Sequence, residues 1–447
     1  MSEYNRITEI EQIDKELRTL HDEIVSICNS KNLTGQFVNV SWKDIKNALT
    51  DEDVVIDFFA VQDSSYATKG ELYIACVLKK SYSSPKLIRL CYGNDLDDKI
   101  DDLKSMYNTV WKVLEYEFSG MKKIYFSPWN KLTNMPIEYA MNNEGEVLVD
   151  CYTCYRLSSS RELIIKSSKE PIKNVVLYGG LKYDASCDKI QNVNKSNGHN
   201  YNHQETYRGL TDSLMLRSGF DYLPYSLQEV KGIYDLCNAD NTNVGLCKLI
   251  TGENGTEESF KSLYGQDINL IHMATHGAYI ANEQSPYYQK LFHEDDETKY
   301  SQIDNSLSRS FVVMSGGDML CKGIVVPEGM DDGILSAKEI SKLDFQGLEL
   351  AVISTCNSAV GDFSSEGTMG IQQGFKKAGA KSILMTIDFI DDKATNLFML
   401  CFYKNLLDGN SKYESLQKAL HYLRSYDNGK YSDPKYWTSF ILLDAIE

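Results

Sequence analysis

Ile268-Asn269-Leu270-Ile271-His272-Met273-Ala274-Thr275-His276-Gly277 is an apolar run that ends in a reactive side chain. A second run of the same kind follows it: Leu348-Glu349-Leu350-Ala351-Val352-Ile353-Ser354-Thr355-Cys356-Asn357. Each reads as a buried strand, a short apolar-rich stretch bounded by turn formers. Open α/β sheets hold their chemistry just beyond the carboxyl ends of parallel strands. If the two strands are neighbours, His276 and Cys356 emerge side by side at that edge. An imidazole and a thiol so placed are the minimal base and nucleophile of a cysteine hydrolase. His272 shares the face of His276 but lies deeper among apolar neighbours, where a structural histidine is expected. Gly277 is expected to let the backbone turn tightly beside His276.

The flanking sequence alternates strand and helix. Residues 6–29 carry apolar positions three or four apart and read as one amphipathic helix with a seam to bury. Strands are expected at Val54–Phe59, Leu72–Leu78, Lys86–Leu90 and Lys123–Ser127, with a long helix over roughly 97–118. This first α/β unit has no candidate nucleophile at a strand end. Further on, Val175–Tyr178 is a strand and 182–224 a polar insertion. Ser226-Leu227-Gln228-Glu229 looks like a capping box opening a helix with Val230, Ile233, Tyr234 and Cys237 inward. Leu246–Ile250 is a strand and Thr256–Leu263 a helix. The stretch 278–333 reads as irregular, and Ser336-Ala337-Lys338-Glu339 caps a short helix before the Cys356 strand. Strand Ile383–Ile387, helices 391–407 and 412–424, and a strand near Trp437–Leu443 complete the pattern. Such alternation predicts an α/β fold with a mainly parallel sheet and helices on both faces. The expected division is a helical segment over 1–50, an α/β subdomain over 51–165 and a catalytic domain over 166–447.

Composition narrows the function. No apolar run approaches the length of about 20 residues needed to span a bilayer, and the polar first residues lack a signal-peptide core. Eleven cysteines, odd in number and scattered, suit free thiols in a reducing cytoplasm better than a disulfide framework. With 46 basic against 63 acidic residues the net charge is −17, and no basic stripe is present. Nucleic acid and anionic membranes are therefore not expected partners.

Other motifs are weaker. Cys151 and Cys154 sit in a strand-like run whose spacing puts the two thiols on opposite faces, and no second pair completes a zinc site. His199 and His203 lie in the polar insertion. Ser315-Gly316-Gly317-Asp318 lacks the lysine of a phosphate cradle. Ser354 shares a face with Cys356 but sits one step deeper, and is the lesser nucleophile candidate.

Taken in order along the chain, a set of short motifs resembles the CHAT family, a mainly bacterial branch of caspase-like cysteine proteases in the group that includes separase and gingipains. The motifs are Ser41-Trp42-Lys43-Asp44-Ile45, Tyr125-Phe126-Ser127-Pro128 with Pro136-Ile137-Glu138, and Leu223-Pro224 with Glu229-Val230. They continue with Ile271 to Gly277, Asp332-Gly333-Ile334-Leu335-Ser336-Ala337, and Ile353-Ser354-Thr355-Cys356. Gly374-Phe375 through Ala378-Gly379-Ala380, Asp391-Asp392-Lys393-Ala394-Thr395 and Tyr436-Trp437 close the series, which spans residues 40–447. The resemblance implies a caspase-like fold, an inactive N-terminal half, an active C-terminal half, and a catalytic dyad of His276 and Cys356. Many relatives carry helical repeats before this region, so a repeat-based sensor is expected to be absent or supplied by another chain. In Thr386-Ile387-Asp388-Phe389-Ile390-Asp391-Asp392, Asp388 resembles the separase aspartate in the pocket for a basic P1 residue; the alternative is a solvated residue before a helix.

The expectation is thus a cytoplasmic cysteine endopeptidase without metal or organic cofactor, cleaving a protein partner after Arg. The amides of Gly277 and Cys356 are the expected oxyanion donors, and Asp388 the substrate-binding carboxylate. The resemblance also suggests bacterial defence or programmed cell death, with gasdermin-like pore formers among the substrates and a regulatory protein as partner. One or both of the segments 182–224 and 278–333 are expected to order or be clipped on activation, with Arg208 and Arg217 the clip sites if specificity is basic. A catalytically silent scaffold and a thiol-dependent transferase or deamidase are the competing readings.

Overall fold

The computed structural model describes residues 40–62, 70–98, 102–165, 171–199, 219–240, 242–279, 307–327, 329–345, 347–355, 362–364, 367–388 and 391–446. The expected helix over 6–29, His203, Arg208, Arg217 and Cys356 lie outside the described residues. The strands of the first half are β1 (Asp53–Val61), β2 (Leu72–Lys79), β3 (Lys86–Tyr92), β4 (Lys123–Ser127) and β5 (Thr153–Arg156). Those of the second half begin with β6 (Asn174–Leu181), β7 (Leu246–Gly252), β8 (Leu270–Ala274), β9 (Gly277–Tyr279), β10 (Ser310–Val313) and β11 (Ile334–Ser336). Then come β12 (Leu350–Ser354), β13 (Asp362–Ser364), β14 (Gly367–Met369), β15 (Ser382–Thr386) and β16 (Phe440–Leu443). Helices that bear on the argument are α1 (Trp42–Ala48), α2 (Cys187–Asn197), α3 (Pro224–Cys237), α4 (Glu257–Lys261) and α5 (Asp318–Cys321). They continue with α6 (Ala337–Ile340), α7 (Ile371–Lys377), α8 (Asp392–Leu407) and α9 (Lys412–Gly429).

Eleven strands form one sheet in the order β3-β2-β1-β4-β5-β16-β15-β12-β8-β6-β7. From β15 to β7 every pairing is parallel, and β16 runs antiparallel to β15. In β6, Tyr178 meets the Phe260 ring of α4, whereas a Cβ on the next residue, Gly179, would stand 2.7 Å from Val230 of α3. Successive strand residues point to opposite faces, so α3 and α4 cover the two sides of the sheet. The fold is mixed α/β with a mainly parallel sheet, as the alternation predicts.

The two halves meet at a seam where Leu443 pairs with Arg156. Arg156 is buried there and forks onto Glu138 at 2.8 and 2.5 Å, donating also to the Thr133 and Met135 carbonyls. The Ser158 amide and hydroxyl donate to Asp444, whose carboxylate lies 2.8 Å from Lys376 of α7. A second buried charge cluster centres on Lys261, with Glu257, Asp331 and Glu339 at 2.8, 3.1 and 2.9 Å. Burial, with Glu339 beside it, pushes the Asp332 carboxyl up to about 7. Burial also lifts Asp331 to about 6, against the pull of Lys261.

Several local expectations are revised. The helix expected over 97–118 is broken, with a π turn at Tyr107–Trp111 and a 3-10 turn at Lys112–Leu114. Its Trp111 is fully buried, packs edge-on against Phe58, Phe118 and Phe126, and donates to the Ile137 carbonyl. Ser226 and Glu229 form no capping box. Pro224 occupies the first turn of α3, its fixed φ suiting that position, and Ser226 instead accepts from the Gly180 amide at 2.9 Å. Part of the polar insertion is helical (α2), and the stretch expected to be irregular contributes β10, the central strand of a small sheet of order β11-β10-β9. Cys151 ends a short helix rather than lying in a strand; it is exposed, and Cys154 on β5 is buried.

Candidate active site

β12 lies between β8 and β15, parallel to both, with Ser354 opposite Ala274 and Ile353 opposite Met385. The three strands end together at one edge of the sheet. Counting two residues on along the sequence from Ala274, Ser354 and Thr386 reaches His276, Cys356 and Asp388. The ends are in contact: the Thr386 hydroxyl donates to the Thr355 carbonyl, and a Cβ on Gly277 would stand 2.6 Å from the Thr355 Oγ1. The glycine requirement at 277 is therefore one of close approach, and not of a special turn. Thr355 itself is buried, and its hydroxyl finds no hydrogen-bond partner among the described residues.

His276 is half-buried and held on several sides. Its Nε2 lies 2.7 Å from the carbonyl oxygen of Asp221. A carbonyl only accepts, so Nε2 carries the proton and Nδ1 is left as the basic nitrogen. The ring is flanked by Tyr183 and Phe220, with centroids at 4.9 and 5.4 Å. Tyr183 donates to the Thr275 hydroxyl at 3.0 Å, and Thr275 donates to the Val313 carbonyl at 2.6 Å. Burial lifts the Tyr183 phenol to about 12, so it stays protonated as a donor. Downstream, the Val313 amide donates to the His276 carbonyl while Gly277 stands opposite Val312. In an antiparallel ladder that makes Gly277 and Val312 a non-hydrogen-bonded pair. The Gly277 N–H consequently points away from β10.

His272 lies in the core, fully buried on β8. Its Nδ1 meets the Tyr403 hydroxyl at 3.0 Å and its Nε2 is 2.9 Å from the Glu229 carboxylate, a close approach not aligned as a hydrogen bond. Ser354 is partly exposed at the end of β12. Asp388 is exposed just past β15. Asp391 caps α8 by accepting from the Lys393 and Ala394 amides. The next residue, Asp392, has its carboxyl raised by burial, with Asp391 and Glu229 adding and His276 opposing. Among the described residues no cluster of three or more His, Cys, Asp or Glu is arranged to hold a metal ion, and no helix is long and apolar enough to cross a membrane.

The family model described as "CHAT domain" matches residues 101–445. The chain belongs to the CHAT domain family. The match begins after β3, so the first three strands lie before the CHAT region, which is shorter than the span over which the motifs suggested the resemblance. One curated relative, "Tetratricopeptide repeat protein 28" of Mus musculus, is 27% identical over 112 residues. That alignment takes in 25% of this chain and spans only 4% of the relative's length. Among solved structures, gingipain R, titled an Arg specific cysteine proteinase, is similar with a TM-score of 0.39 and 8% identity. It covers 78% of this chain and 69% of its own. The Saccharomyces cerevisiae separase in complex with securin gives a TM-score of 0.37 at 11% identity, over 76% of this chain and 17% of that one.

Sequence reasoning reached the two strands and the placement of His276, and missed the Asp221 carbonyl, Tyr183 and Phe220. Backbone acceptors leave no mark in a sequence, and Asp221 is 55 positions from its partner.

Proposed function

We propose that this CHAT-domain protein is a caspase-like cysteine endopeptidase in which His276 and Cys356 form the dyad. One observation carries the reading. The residue after His276 abuts the residue before Cys356, at the carboxyl edge of adjacent parallel strands. His276 is also bound in the useful tautomer, with Nε2–H on the Asp221 carbonyl and Nδ1 free of that bond.

The chemistry follows. Nδ1 of His276 takes the Cys356 thiol proton, and the resulting ion pair lowers the thiol's pKa from its ordinary value of about 8.5. The thiolate attacks the scissile carbonyl. The amine leaves with the proton returned by His276, and water hydrolyses the thioester. The Gly277 N–H, turned out of its ladder, and the Cys356 N–H are the donors for the oxyanion; losing one such donor costs about 10²–10³ in rate. Asp388, at the corresponding position past β15, is the carboxylate proposed to receive the guanidinium of a P1 arginine. The chain is acidic overall, with a net charge of −17, which suits a basic cleavage segment.

The test is labelling by a peptidyl acyloxymethyl ketone with Arg at P1, followed by mass mapping of the adduct. An adduct on Cys356 that disappears in His276→Ala supports the reading. An adduct elsewhere, or undiminished labelling without His276, overturns it. Product mass on a peptide substrate separates hydrolysis of the chain from deamidation or transfer.

A further inference from the structure

We infer that Asp318, 42 positions after His276 in the sequence, is a positioning residue that fixes the tautomer of His276 through the backbone of Gly219–Asp221. Asp318 opens the short helix α5 and is 6% exposed. Its Oδ1 accepts from the Phe220 amide at 2.7 Å, and its Oδ2 lies 3.2 Å from Lys322. Its own amide donates to the Tyr183 carbonyl at 3.0 Å. One residue therefore holds both chain segments whose rings, Tyr183 and Phe220, flank the imidazole. The residue after Phe220 supplies the carbonyl that accepts from His276 Nε2.

The fit is close. Gly219 has φ +77°, and a Cβ added to it would stand 2.8 and 2.9 Å from the two Asp318 carboxylate oxygens. The carboxylate thus seats directly on the Gly219–Phe220 backbone, with no room for a side chain between them. A buried carboxylate accepting a backbone N–H makes a strong, directional bond, and Lys322 balances its charge. Without that bond Phe220 has no fixed amide partner there, and the neighbouring Asp221 carbonyl loses its aim at Nε2. The imidazole would then populate both neutral tautomers, since the partner of one nitrogen decides where the proton sits. Asp318 touches no reacting atom. It acts on the backbone that acts on the base.

The inference rests on His276 being the base only for its effect on rate; the tautomer is measurable without any substrate. The experiment uses the full chain with ¹⁵N-labelled histidine, with the His276 resonances assigned by their loss in His276→Gln. Long-range ¹H–¹⁵N spectra report the proton position. Wild type is expected to show the Nε2–H form alone. Asp318→Ala should give a mixture of tautomers, with kcat lowered by up to about 100-fold and KM little changed. Asp318→Asn, which keeps an oxygen to accept from Phe220, should restore both readouts, and Lys322→Ala should leave them near wild type. Gly219→Ala, which presses a methyl on the carboxylate, should repeat the Asp318→Ala result and decides the matter if Asp318→Ala does not fold. A pure Nε2–H signal in both Asp318→Ala and Gly219→Ala overturns the proposal, as does Asp318→Asn behaving like Asp318→Ala. A tautomer shift in a chain that cleaves no peptide would uphold the positioning role and sink the protease reading instead.

Discussion

Gly277 and Thr355 touch across two strand ends, so closely that a methyl on Gly277 would stand 2.6 Å from the Thr355 hydroxyl oxygen. This contact sets the spacing of the chain just past the ends of β8 and β12. Gly277→Ala must push them apart, because backbone and a buried β-branched side chain cannot both give way. Overpacking of this kind costs about 1–3 kcal/mol. Urea unfolding should show a loss in that range, while peptide cleavage falls by a larger factor than the stability change alone would produce. Activity equal to wild type would mean that the spacing of the two strand ends is not critical.

The two histidines of β8 and its end are expected to respond in opposite ways. Replacing His276 by Ala, or Cys356 by Ala, should abolish cleavage and leave the unfolding midpoint near wild type. His272→Ala should do the reverse, because it strips Glu229 and Tyr403 of a buried partner. Leaving buried polar groups without a partner costs about 1–3 kcal/mol, and emptying the imidazole's place in the core adds to that. Thermal unfolding alongside a peptide assay separates the two patterns.

Stability should depend on pH through the Lys261 cluster. Asp331 and Asp332 are raised to about 6 and about 7 by burial in the folded chain, whereas unfolded aspartates titrate near 3.9. Between roughly pH 4 and pH 7 the native state therefore holds protons that the unfolded state has released, and stability falls as pH rises through that window. This contribution is fully present below about pH 4 and is lost by about pH 7. Asp332→Asn keeps an oxygen for the Ile334 amide, which donates to Asp332 at 2.9 Å, and removes the titrating proton. It should flatten the slope and stabilise the protein at pH 8, which urea titrations at pH 5, 6, 7 and 8 would read directly. An unchanged slope would mean that the cluster is already neutralised by other means.

Asp388 governs the specificity prediction. Peptides varied only at P1 should be cleaved best with Arg, less well with Lys, and poorly with neutral or acidic residues. Asp388→Ala should lose the Arg preference while Cys356 still reacts with iodoacetamide. Because Asp388 is exposed, a guanidinium is expected to pair strongly with it only where bound substrate excludes water. A preference for Leu or Asp at P1 would make Asp388 an ordinary surface carboxylate.

The sheet was readable because its strands are short apolar runs separated by helical periodicity. The β8 and β12 runs differ from core strands only in the polar residues that follow them, and that change marks the edge. The Ser336–Glu339 capping box was likewise readable and is present with both of its bonds. Glu229 was misread because Ser226-x-x-Glu229 has the spacing of a capping box, yet Pro224 had already started the helix and left Glu229 free to face His272. β9 and β10, with three and four residues, are too short to show a period. The broken helix before β4 was hidden because Trp111 is held by a carbonyl from a distant turn, which local spacing does not record.

The order of the eleven strands also carries a timing. β16, last in chain order among the described strands, fills the middle of the sheet, between β5 and β15. During synthesis β3-β2-β1-β4-β5 and β15-β12-β8-β6-β7 therefore emerge as two unfinished sheets, each with a raw inner edge, and stay so until Phe440–Leu443 has left the ribosome. Such edges invite misassembly while they wait. The same delay keeps β15, next to the β12 strand that leads to Cys356, without its outer neighbour until that strand arrives.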